Sequence, residues 1–149
     1  MNKSMFLFVF LTFISTQSIF GQLEIPADKA SKKPRPHKIV FQMVSKDTAD
    51  HNAMVRQLNN ILKLAPNAKL EVVCHGPGIT LIQKNKSYVL DQLSVLAGKK
   101  VDFVACEFTM SQKNLKKEQL LDVCRTVPGG ILEIVERQEK GWTYIKAGY

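Results

Sequence analysis

The chain has 149 residues, of which 45% are hydrophobic and 23% charged, with a formal net charge of +8. This length suits one domain, and the apolar content excludes wholesale disorder. The positive balance and the eight Phe acquire meaning only once they are placed along the chain.

The first segment, Met1-Asn2-Lys3-Ser4, a run of apolar residues from Met5 to Ile14, and a small-residue end at Gly21, reads as a secretory signal peptide over 1–21. The run is too short for a transmembrane helix, which needs about 20 apolar residues, so no stable membrane insertion is expected. Cleavage is expected after Gly21, with Ser18 as the alternative. The processed protein is then periplasmic or secreted. Phe6, Phe8, Phe10, Phe13 and Phe20 leave with the signal, so most of the aromatic content belongs to targeting.

Residues 22–37 contain Lys29, Lys32, Lys33 and Arg35 with Pro26, Pro34 and Pro36, and few large apolar residues. This composition reads as a basic linker that cannot offset its ordering entropy. The remaining charge is spread over the domain, and no aromatic residues interleave the linker cations. Nucleic acid is therefore not an expected partner.

The domain is expected over 38–148. Lys38 to Val44 is the first predicted strand. Ser45, Asp47 and Thr48 offer N-cap oxygens for a helix to about Ala65, with Met54, Leu58, Ile61 and Leu62 on one face. Lys69–Cys74 is a second strand, interrupted by His75-Gly76-Pro77-Gly78. Ile79 to Ile82 suits either a helical turn or a short strand. Val89, Leu90, Leu93 and Leu96 return to helical spacing, with Gly98 as C-cap. Val101–Cys106 is a third strand. Thr109 and Gln112 have capping-box form for a short helix.

Leu115 to Val123 reads as another helical segment. Thr126-Val127-Pro128 is extended, and Gly129-Gly130 turns into a helix reaching Lys140, with Ile131, Ile134 and Val135 facing inward and Gly141 as cap. Trp142 to Lys146 is the last strand. Strands alternating with helices imply parallel pairing through crossovers and a three-layer α/β/α sandwich. Ligands and chemistry in such sheets gather at the carboxyl ends of strands.

Two of those ends carry reactive residue types. His75 closes the second strand, and Cys106 closes the third. Cys106 precedes a helix start, whose unpaired N–H groups favour a thiolate. An imidazole nearby would help further, whereas the adjacent Glu107 carboxylate would oppose ionisation. The candidate catalytic residues are thus Cys106 and His75, with Gly76, Pro77, Gly78, Glu107 and Thr109 as candidate pocket walls. The alternative for Cys106 is a small buried hydrophobe, and for His75 a turn residue bonded to backbone. Gly76-Pro77-Gly78 is neither a dinucleotide fingerprint nor a P-loop. No metal-ligand spacing occurs among His37, His51 and the cysteines, so neither a metal nor another cofactor is expected. Cys74, Cys106 and Cys124 allow one disulfide and a free thiol, or three free thiols.

Lys38-Ile-Val-Phe-Gln, Val72-Val-Cys-His-Gly-Pro-Gly, Val101-Asp-Phe-Val-Ala-Cys-Glu-Phe-Thr-Met and the stretch Val127-Pro-Gly-Gly-Ile-Leu-Glu-Ile-Val-Glu together resemble the DsrE/DsrF-like family of small sulfur-relay-type proteins. The resemblance spans about 38–148. It implies a mainly parallel five-stranded sheet in a three-layer sandwich, and homo-oligomers (dimers, trimers or hexamers). In sulfur-carrier members a cysteine at the matching strand end carries a persulfide, which implies this role for Cys106 and a protein sulfur donor or acceptor as partner. Those members act in the cytoplasm, whereas this chain is expected to be exported. A non-catalytic oligomeric module binding a small ligand or a protein is the alternative function.

Overall fold

The computed structural model describes residues 35–148. The expected signal peptide and residues 22–34 of the expected linker lie outside the described residues. Residues 35–37 have no regular structure.

Five strands form one all-parallel sheet: β1 (Lys38–Met43), β2 (Lys69–Cys74), β3 (Val101–Cys106), β4 (Arg125–Val127) and β5 (Thr143–Ala147). Their order is β4-β3-β2-β1-β5. Four α-helices connect them: α1 (Thr48–Leu64), α2 (Leu90–Gly98), α3 (Glu107–Gln112) and α4 (Gly130–Glu139). The chain steps one way from β1 to β4, then returns past three strands to place β5 beside β1. Because parallel crossovers are right-handed, this reversal places α4 on the face opposite α1 and α2.

The two faces have unequal cores. Phe41, Met43, Leu70, Val72 and Phe103 point into a large cluster with Met54 and Leu58 of α1 and Leu93 and Leu96 of α2. Alternate strand residues point the other way. There Val40, Val73, Val104 and Val127 meet Ile134 of α4. A single ten-residue helix covers this second face, so Ile131, Leu132 and Val135 remain exposed. The expectation that Ile131 and Val135 face inward is thus corrected: one helix crossing five strands buries only a narrow stripe.

The strand predictions for 69–74 and 101–106 match the observed strands, and α1 begins with Asp47 accepting the Ala49 N–H at 2.8 Å. The ambiguous 79–82 stretch belongs to a 3-10 helix over Gly76–Ile82. The predicted helix at 115–123 is absent. A 3-10 turn at Lys117–Gln119 is followed by an extended pair, with Lys84 N–H bonded to Gln119 O and Leu121 N–H bonded to Ile82 O, both at 2.8 Å. Leu120 and Leu121 are both buried, so cross-chain bonding and burial of adjacent residues outweigh local helix propensity. Cys124 consequently follows a turn at 122–123 and packs on the larger core just before β4, rather than lying on a helix.

Candidate functional site

The third strand and the third helix meet at Cys106, which is the N-cap residue of α3. Helix α3 therefore starts two residues before the predicted capping box. Thr109 lies inside its first turn, where its hydroxyl accepts the Gly76 N–H at 2.9 Å. This bond ties the carboxyl ends of β2 and β3 together. Thr109 is buried, Gly76 half-buried, and Pro77 and Glu107 are exposed.

Cys106 is 6% exposed. Burial pushes its thiol pKa up, but backbone N–H groups of Gly130, Thr109 and Phe108, together with the Thr109 hydroxyl, outweigh burial and hold it below the ordinary value. The donors come from the first turns of α3 and α4, where helix amides lack internal partners and the dipole favours an anion. Burial instead dominates at the other cysteines and pushes both thiols up, Cys74 beyond the range of ordinary titration. All three thiols are free. Among them, Cys106 alone has its acidity raised, and alone sits at the carboxyl edge on the α4 face.

Gly130 brings α4 this close. A Cβ there would stand 3.1 Å from Cys106 Cβ, 3.2 Å from Val73 Cγ1 and 3.3 Å from His75 Cβ. Cys106 and His75 thus flank one glycine, as their matching strand ends require. Their polar atoms are not hydrogen-bonded to each other among the described residues. The His75 ring turns instead to Gln42 of β1, with Gln42 Nε2 and His75 Nε2 2.8 Å apart. An amide nitrogen only donates, so His75 Nε2 accepts and the proton of the neutral ring resides on Nδ1. The Tyr144 hydroxyl of β5 donates to Gln42 Oε1, completing a Tyr144–Gln42–His75 chain across three strands. Burial lowers the His75 pKa, which keeps the ring neutral near pH 7.

Gln42, Gly130 and Tyr144 were absent from the sequence-based site. Gln42 interrupts an apolar strand, which is a signal that it faces a polar neighbour, but its partner depends on β1 lying beside both β2 and β5. Gly78, a predicted pocket wall, is buried against the main chain of Met43 and Val44. A cavity of about 470 Å³ lies at the opposite, amino edge of the sheet, among Lys69, Glu71, Lys100, Arg137 and Trp142. None of the predicted site residues lines it. No group of three or more His, Cys, Asp or Glu among the described residues is placed to hold a metal ion, and no described helix is long and apolar enough to cross a membrane.

Thr109→Val tests the tie between strands. It removes an acceptor from a half-buried N–H and a donor from the thiol, so a loss of about 1–2 kcal/mol is expected. The Cys106 thiol pKa should rise as well. Urea unfolding together with alkylation rates across pH checks both, and an unchanged alkylation profile would show the hydroxyl to be irrelevant to the sulfur.

The fold and the site define a class: an all-parallel α/β domain with a cysteine thiol at the carboxyl edge of an interior strand, beside two helix starts. The chain belongs to the DsrE/DsrF-like family, whose sequence pattern matches residues 37–147. Its structure is similar to that of MTH1491, a protein of unknown function from Methanobacterium thermoautotrophicum, with 26% identity and a TM-score of 0.71. The match covers 74% of this chain and 98% of the other. No curated protein sequence matches.

Proposed function

We propose that this protein is an exported persulfide carrier, or sulfurtransferase-like protein, that acts through Cys106. The feature that supports this reading best is the place of Cys106 at the start of α3 and against Gly130 at the start of α4, where helix amides favour its thiolate, while burial makes the other two thiols less acidic. Membership of a family with sulfur-relay members supports it at a coarser level.

In the proposed reaction the Cys106 thiolate attacks the outer sulfur of a donor persulfide, R–S–SH. The Cys106 S–S bond forms as the donor S–S bond breaks, and R–S⁻ leaves. An acceptor thiolate then takes the outer sulfur by the same displacement and restores the Cys106 thiolate. The amides of Gly130, Thr109 and Phe108 stabilise the anion before and after each transfer. Neutral His75, with its proton on Nδ1, orients the sulfur group at the same edge.

Cys106→Ser should abolish loading of a 32-dalton sulfur increment from a persulfide donor (the mass of one sulfur atom), as read by intact mass spectrometry, while Cys74→Ser retains it. Loading of the Cys106→Ser variant equal to the parent would overturn the proposal. N-terminal sequencing of secreted material tests export, with Gln22 or Ile19 as the expected first residue.

The exposed Phe108, Ile131 and Leu132 support a second element of the reading, a protein contact beside the thiol. Phe108 is 69% and Leu132 60% exposed, and both border Gly129 next to the Cys106 site. Such an apolar group suits a second subunit in a homo-oligomer or a sulfur donor or acceptor protein. The same surface would serve the alternative, a non-catalytic oligomeric binding module. If subunits meet there, Phe108→Ser with Leu132→Ser shifts the sedimentation profile toward monomer. An unchanged profile would place any self-association elsewhere.

A further inference from the structure

The carboxyl edge is only one end of α4. Further along, the helix meets a cluster of charges that the sulfur chemistry described above does not use. Glu71 of β2 is fully buried, and its Oε2 lies 2.7 Å from Arg137 Nε and 3.1 Å from Arg125 Nη2. Glu133 Oε1 takes Arg125 Nη2 at 2.7 Å and Arg137 Nη2 at 3.0 Å. Asp102 Oδ2 holds Arg125 Nε at 2.7 Å. Trp142 covers the Arg137 guanidinium, 4.9 Å from its ring centre. Two arginines and three carboxylates thereby join β2, β3, β4 and α4.

This cluster is the main polar tie between α4 and the sheet. The apolar contribution is small: within α4, Ile134 and Gly130 are the buried residues. Glu133 stands three residues after Gly130, a rise of about 4.5 Å along the helix. The ion-paired residue and the glycine touching Cys106 are thus in the same turn. Any tilt that lengthens the Glu133–Arg125 contact moves the Gly130 amide relative to the sulfur.

We infer that Glu71, Arg125 and Glu133 act as positioning residues for Cys106: their cluster of carboxyl–guanidinium contacts fixes the height of α4 above the sheet and so holds the first turn of α4, at Gly130, against the cysteine. The inference rests on the proposed use of Cys106 as a thiolate. The groups facing the cluster from every packed element are Glu71, Asp102, Arg125, Glu133 and Arg137. Each arginine is held at a fixed geometry by at least two carboxylates, which gives a rigid link where a single surface pair would give almost none.

The test measures the pH dependence of Cys106 alkylation by peptide mass spectrometry in the full-length protein, Arg125→Met and Glu133→Gln. Leu58→Val on α1, destabilised but remote from α4, is the control. In the parent protein the Cys106 thiol should titrate below an ordinary cysteine. In Arg125→Met the alkylation rate at pH 6.5 should fall about tenfold, one decade in thiolate fraction, with the Leu58→Val profile unchanged. Arg125→Lys, which keeps charge but loses the fork, should fall between them. A lowered pKa in the parent that survives unchanged in Arg125→Met and Glu133→Gln would overturn the positioning role and leave the thiolate reading intact. An ordinary pKa in the parent would overturn both. If Arg125→Met does not fold, Glu133→Gln, which removes fewer links, is read by the same criterion.

Discussion

Gly78→Ala is expected to cost about 3 kcal/mol or more, the upper end of the range for overpacking, and to lower the melting temperature by roughly 10–20 °C. The Cβ would stand 2.1 Å from Met43 O, 2.4 Å from Met43 C and 2.7 Å from Val44 N. All three are backbone atoms, so no rotamer change relieves the contact. The crowded carbonyl also accepts the His75 N–H at 3.3 Å. Relief would therefore require moving the end of β1, which is hydrogen-bonded to strands on both sides. Gly98→Ala is the internal control. Nothing lies within 4 Å of a Cβ there, and the position is the last residue of α2, so the change should be neutral or stabilising by up to about 1 kcal/mol. Thermal melts of the two variants decide the matter: a Gly78→Ala protein melting within 2 °C of the parent contradicts the assigned packing.

The second large effect is a stability that declines as the solution becomes more alkaline. Burial pushes the Glu71 carboxyl up, Arg137 and Arg125 pull it down, and Glu133 and Asp102 push it up again, to about 7. The folded protein therefore holds this proton more tightly than the unfolded chain. The contribution is fully present below about pH 4.5 and is lost as pH rises through about 7. Two other groups have the opposite sign. Glu133, held low by Arg125 and Arg137 despite burial, loses its contribution as pH falls below the ordinary carboxylate range. His75, lowered by burial, favours the folded state as pH rises through 6.5. Comparing the parent with Glu71→Gln cancels the His75 contribution, and that of Glu133 changes only at lower pH than the range compared. Between pH 5 and 8 the parent should lose a few kcal/mol relative to Glu71→Gln in urea unfolding. Parallel curves for the two proteins would show that Glu71 is already ionised at pH 5.

The central strands were legible in the sequence because β-branched and apolar residues cluster there: Val72 and Val73 in β2, Val101 and Val104 in β3. Cys106 was legible as the last residue of such a run before a helix. Its amide surroundings were not, since Gly130 follows 24 residues later and reaches the sulfur only through the path of α4. The segment at 115–123 misled because Leu120 and Leu121 mimic a helical stripe, while Leu121 bonds across to Ile82 and the preceding Gln119 to Lys84. Ile131 and Val135 misled in the other direction: their spacing describes a helical face but not how much sheet lies beneath it. Glu71 offered a clue, since a carboxylate within an apolar strand must find cations or a proton. Which arginines answer it, Arg125 from β4 and Arg137 from α4, depends on strand order and not on local pattern.

The return of the chain past three strands has a consequence for how the domain is made. β1 and β5, the first and last strands, are neighbours, and Ile39 pairs with Thr143 about 100 residues away. The steps from β1 to β3 join strands close in sequence, so they form with modest loop-closure entropy. The β1–β5 ladder is the long-range closure, and contacts of this kind slow folding. During synthesis, β1 remains an open edge until β5 has emerged. The sheet is therefore completed by β5, the strand farthest in sequence from its partner.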